Sequence, residues 1–119
     1  MSNTIKIITE EQYRAFREQT DLEVSKIPFR HNRKRMIKDF NYMLTLINSE
    51  KLDCLNQVEY GKRYKILTYC TVNLGNTHYP CYVKQMGVLM GVVITGETPC
   101  FYKTKTGRIS KNKLLAIIV

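Results

Sequence analysis

The sequence has no tryptophan, only three prolines and, from residue 60 to residue 119, a single acidic side chain, Glu97. No apolar run approaches the roughly 20 residues that a membrane-spanning helix needs, so no membrane partner is expected. Met1 to Ile8 has neither a basic start leading into an apolar core nor a small-residue cleavage site, which argues against a secretion signal. Cysteine is present but scattered. Cys54, Cys70, Cys81 and Cys100 lack the close ligand spacing of a structural zinc site, and His78 with Cys81 is one H-x-x-C pair without a second. The expectation is four reduced thiols in a cytoplasmic protein, with no metal and no cofactor. Also missing are a G-x-x-x-x-G-K phosphate loop, a G-x-S-x-G elbow and an H-E-x-x-H pair.

What remains is ample for folding. The chain has 119 residues, 44% of them hydrophobic, with eight tyrosines and four phenylalanines. That is one domain with an ordinary core, too apolar and aromatic for a disordered basic tail. Residues 1–50 read as mainly helical and residues 60–119 as mainly strands.

Charge is unevenly distributed. The formal net charge is +9, and residues 60–119 carry nine Lys+Arg against the one acid. Residues 26–38 add six cations and no acid. Solubility alone is served by mixed signs, so this segregation points to a polyanionic partner.

Ile5, Ile7 and Ile8 suggest a short first strand. Thr9 with Gln12 has the capping-box spacing, and Ile8 with Tyr13 that of a hydrophobic staple. A helix is expected from Glu10 to Thr20, burying Tyr13 and Phe16. After Pro28, Met36, Ile37, Phe40, Met43, Leu44 and Ile47 recur at spacings of three and four, which predicts a second helix ending near Ser49. Alternation from Tyr64 to Leu74 predicts a strand, and Gly75–Asn76 a turn. Tyr79–Gln85, Val88–Thr95 and Phe101–Thr106 follow as further strands, the second apolar enough for a central strand. Leu114–Val119 closes the sheet. The expected fold is α+β: two N-terminal helices packed on one face of a four- to five-stranded antiparallel sheet.

Three sets of residues carry chemistry. Arg30, His31, Arg33, Lys34, Arg35 and Lys38 gather at the start of the second helix, where cations oppose the helix dipole at a cost of about 0.3–1 kcal/mol each. That placement suits phosphate contacts better than it suits the helix. On the sheet, Lys65 and Tyr69, Tyr82 and Lys84, and Lys103 and Lys105 would share an outer face, pairing cations for phosphates with rings for bases. Arg108, Lys111 and Lys113 extend it as a backbone-contacting loop. The third set is catalytic. A metal-independent ribonuclease needs a base, an acid and a cation, and His78, Glu59 and Arg63 could supply them.

The first reading is a small, non-catalytic regulator that binds RNA, DNA or another single-stranded nucleic acid. The second is an endoribonuclease: the order of a short strand, two helices and an antiparallel sheet resembles that of RelE-type messenger-RNA-cleaving toxins, a resemblance of element order alone. The third is a small inhibitor that binds an acidic protein surface of a host; Lys, Ile and Asn usage fits an AT-rich genome such as a phage's.

Overall fold

Isoleucine-rich runs near the two ends of the chain lie side by side. Strand β1, Ile5–Ile8, pairs in parallel with β7, Leu114–Ile118, matching Ile7 to Ile117 and Ile8 to Ile118. β-branched side chains suit a pleated surface covered on both faces, and Ile8, Ala116, Ile117 and Ile118 are all buried. In the computed structural model, which describes residues 5–119, the elements between them run in this order. Helices α1 (Glu10–Ser25) and α2 (Asn32–Ser49) are followed by β2 (Asp53–Leu55), β3 (Arg63–Asn73) and β4 (Tyr82–Glu97). Then come β5 (Phe101–Thr104), β6 (Gly107–Ser110) and a single 3-10 turn, Lys111–Lys113, leading into β7. The sheet order is β2-β1-β7-β3-β4-β5-β6. None of the helices among the described residues is long and apolar enough to cross a membrane.

The fold is α+β as the sequence predicts, but the sheet has seven strands and is mixed, not antiparallel with four or five. The expected strands at 79–85 and 88–95 are one strand, because Gly87 continues the extended backbone where a break was expected. The segment 101–106 is not one strand: it turns at Lys105 and Thr106, and Gly107, with φ 156°, opens β6. Asp53–Leu55, between the expected helical and strand regions, pair with β1. The apolar strand buried on both faces is β7, third in the sheet order, and not 88–95, where Leu89 and Met90 are exposed.

The chain divides into two units. The sheet unit takes the described residues up to Glu10, with Leu52–Tyr69 and Gly87–Val119. Its main apolar cluster joins Ile5, Val58, Tyr64, Ile66, Ile94, Tyr102 and Ile117. Leu67, the residue after Ile66 and therefore on the opposite face, is equally buried. The cluster is held at its ends by hydrogen bonds from Glu59 N–H to the Tyr64 hydroxyl (2.9 Å) and from Gly61 N–H to the Ile94 carbonyl (3.0 Å).

The helical unit takes Glu11–Lys51 and Cys70–Met86, the two helices with the hairpin end of β3 and β4. The α2 stripe buries Phe40, Met43 and Ile47, while Ile37 is exposed. Helix α1 runs one turn beyond the expected Thr20, to Ser25, because Thr20 is itself on the buried face with Phe16 and Val24. Its hydroxyl donates to the Phe16 carbonyl (2.7 Å), which satisfies a polar group with no access to water. Tyr13 is only half-buried. Full burial of a side chain such as Met43 contributes about 1.5–3 kcal/mol. The β3–β4 loop is tied by two asparagines: Asn73 Oδ1 accepts from Gly75 and Cys81 N–H, and Asn76 Oδ1 from His78 and Tyr79 N–H. Gly75 is required there, since a Cβ would lie 2.0 Å from the Tyr79 carbonyl oxygen.

Candidate nucleic-acid interface

Cations divide by what lies within their reach. Among the described residues, ion pairs engage Arg17, Lys26, Lys65 and Lys111. Arg17 bridges Asp21 and Asp39; burial pulls its pKa down, but the two carboxylates outweigh that and raise it. Lys65 Nζ meets Glu10 Oε1 at 2.5 Å, so its charge is neutralised on the sheet. Lys111 Nζ is 2.6 Å from Glu97 Oε2 and lies over the Tyr102 ring, 4.9 Å from its centroid. The Tyr60 hydroxyl donates to the other Glu97 oxygen (3.0 Å). Lys111 holds the Glu97 carboxyl below its usual range, and Glu97 in turn raises the Lys111 and Tyr60 pKa values. Burial raises that of Tyr102. The one acid of residues 60–119 is thus consumed in pinning three segments together: the loop before β3, the end of β4 and the 3-10 turn.

In the helical unit, the basic segment at the start of α2 is not uniform. Arg35 turns back and donates to the carbonyls of Val24 (3.2 Å) and Ile27 (2.5 Å) at the end of α1. It also stacks on Phe29, 4.3 Å from the ring centroid. A helix end leaves carbonyls without intrahelical donors, and a forked guanidinium supplies them. Arg35 is therefore a structural clasp, contrary to its expected place among the phosphate contacts. Lys38 lies over the Tyr42 ring at 5.5 Å and Lys84 near the Phe40 ring at 5.6 Å. Arg30, Arg33 and Lys34 are exposed and join no ion pair among the described residues; Arg30 Nε makes only a long contact, 3.4 Å, to His31. No acid occupies the first turn of α2. Tyr82 is exposed on β4 in this unit.

In the sheet unit, Arg63, Lys105 and Arg108 line one open cleft of about 520 Å³. None joins an ion pair among the described residues. Three elements converge to position them: Arg63 opens β3, Lys105 lies in the β5–β6 turn and Arg108 follows Gly107. The Arg108 guanidinium lies over the Phe101 ring, 4.3 Å from its centroid, a contact that restrains the side chain. The same cleft has an apolar part of its lining, formed by Leu89, Met90, Val92 and Ile109. Leu89 and Met90 are adjacent in sequence yet both exposed, at 43% and 76%, beside Gly91 at φ 66°. A glycine at positive φ within a strand re-aims the side chains around it.

The residues of the expected lysine–tyrosine face are divided between the two units. Lys65, Tyr69 and Lys103 belong to the sheet unit, Tyr82 and Lys84 to the helical unit, and Lys105 to a turn. Lys103 and Lys113 are exposed; Tyr69 is half-buried. Of the candidate catalytic residues, Glu59 and Arg63 belong to the sheet unit and His78 to the helical unit, so neither unit assembles all three. Leu89 and Met90 were the residues not foreseen; the pair Gly87 and Gly91 inside an apolar run was the available signal. No cluster of three His, Cys, Asp or Glu side chains suited to a metal ion occurs among the described residues. Comparison with protein-family models, curated proteins and solved structures finds no significant match for this chain.

Proposed function

We propose that this protein is a small, non-catalytic nucleic-acid-binding regulator whose ligand is RNA or single-stranded nucleic acid. The observation that carries the reading is that each unit gathers three exposed cations, in one segment or one cleft, that join no ion pair among the described residues. These are Arg30, Arg33 and Lys34 in the helical unit and Arg63, Lys105 and Arg108 in the sheet unit. The acids that do form ion pairs are held by other cations: Asp21 and Asp39 by Arg17, Glu23 by Lys26, Glu10 by Lys65 and Glu97 by Lys111. Cations without a carboxylate are available to phosphates, and each phosphate neutralised releases a counterion.

The test is affinity for RNA and for DNA at two salt concentrations. Log affinity should fall by about 0.7–0.9 per phosphate contact for each tenfold rise in salt. A quicker check is the ratio of absorbance at 260 and 280 nm after purification at low salt, which any bound nucleic acid raises sharply because the chain lacks tryptophan. Absence of binding at low salt overturns the reading and favours an acidic protein partner.

A further inference from the structure

The cleft of the sheet unit has a composition that the helix-start cations lack: a cationic rim and an apolar wall in one concavity. Its volume of about 520 Å³ falls within the ordinary range for sites that hold a small organic group. Arg63, Lys105 and Arg108 answer to phosphate oxygens. Leu89 and Met90 answer to a flat apolar surface, and Thr104 and Thr106 add hydroxyls beside it. A nucleotide has both chemistries, a charged phosphate next to an aromatic base. In a duplex the base faces are stacked on one another and cannot reach a protein wall; in a single strand they can.

We infer that the cleft formed by Arg63, Leu89, Met90, Lys105 and Arg108 binds one nucleotide of a single-stranded nucleic acid, the base on the Leu89–Met90 wall and the flanking phosphates on the three cations. This rests on the nucleic-acid reading above and narrows it to a strand preference. Two features favour a built site over an incidental notch. The Phe101 ring restrains the Arg108 side chain, so less side-chain freedom is lost when it meets a phosphate. The second is Met90, a large thioether left 76% exposed next to Leu89, itself 43% exposed. A flexible, polarizable side chain adapts to a base of any identity, so the site should be tolerant of sequence.

The experiment uses the full chain and fluorescein-labelled oligouridylate, alone and annealed to oligoadenylate. Three variants are compared with the unaltered protein: Met90→Ser, Arg63→Gln with Arg108→Gln, and Arg33→Gln with Lys34→Gln. The unaltered protein should bind the single strand more tightly than the duplex. Met90→Ser should weaken single-strand binding about fivefold through lost apolar contact, leaving duplex binding and the salt slope unchanged. The double arginine variant should flatten the single-strand salt slope by about 0.7 per lost contact. Met90 is exposed, so that variant folds even if the arginine variant does not. Equal loss on both probes for Met90→Ser, or no loss on either, overturns the inference. If only the Arg33–Lys34 variant weakens binding, the inference fails while the nucleic-acid reading stands. If the unaltered protein binds neither probe at low salt, both fail.

Discussion

The two cation-rich segments, residues 26–38 and 103–113, have similar compositions and divide in the same way. In each, some of the cations hold the fold while others face solvent. At the helix start Lys26 pairs with Glu23 and Arg35 clasps the end of α1, whereas Arg30, Arg33 and Lys34 join no ion pair among the described residues. In the carboxy-terminal segment Lys111 is tied to Glu97, whereas Lys103, Lys105 and Arg108 face outward. Residue type does not separate the two roles. What separates them is whether the backbone path brings a carbonyl or a carboxylate within about 3 Å of the charged group.

The largest expected effect is on Arg35. Arg35→Gln removes a charged donor from two part-buried carbonyls, a loss of about 2 kcal/mol. A thermal melt should show a drop of roughly 5–10 °C. If Arg35→Gln melts like the unaltered protein, the distinction between clasp and surface cation fails at this position.

Lys111→Gln should destabilise less, because the Glu97 pair is part-exposed, at 15% and 32%, and so weakened by solvent and salt. Its signature is its dependence on pH. The Glu97 carboxyl is depressed, so its contribution is present above its unfolded value, near 4.5, and is lost as pH falls through the lowered value. The Lys111 ammonium is raised, so its contribution is present below its unfolded value, near 10.5, and is lost as pH rises through the raised value. The stability difference between the variant and the unaltered protein should therefore be widest between about pH 4.5 and 10.5 and close on both sides. Urea denaturation at pH 3, 7 and 11, all chosen relative to that window, checks it.

The smallest effect on stability belongs to Arg33→Gln with Lys34→Gln. No carbonyl or carboxylate is lost, and relief of the dipole conflict adds at most about 0.3–1 kcal/mol per cation before screening. The melt should be unchanged or slightly raised while polyanion binding weakens. Pairing Arg33→Gln with Arg35→Gln would confuse the two roles, since the second change removes the clasp.

Local patterns were enough for the helices. The period of Met36, Phe40, Met43 and Ile47 places α2 correctly, because a helix brings residues three and four apart to one face whatever surrounds it. The pattern predicts an end of α1 at Thr20, but the helix runs to Ser25, because this polar residue is buried with a hydrogen bond to its own helix. The strands were less legible. Gly87 reads equally as a break or as a plain extended residue, and alternation predicts a strand through Thr106, whereas the chain turns at Lys105 and Thr106 and Gly107 opens the next strand. The candidate site shows the same limit. Arg108, Lys105 and the helix-start cations were visible as charge, but the partners of Arg35, Lys65 and Lys111 are 8 to 55 residues away in sequence.

Charge segregation, the amphipathic helix α2, the α+β class and the scarcity of acid after residue 60 are properties of composition and short-range spacing, and they survive any arrangement of the chain. The parallel pairing of β1 with β7, the placing of the last strand between β1 and β3 inside the sheet and the exposure of Leu89 and Met90 beside Gly91 are not. Nor is the sorting of cations into clasps and surface groups. Each of these requires two segments distant in sequence to meet, and a meeting of that kind is set by the free energy of the whole packed chain, which no short stretch of residues carries alone.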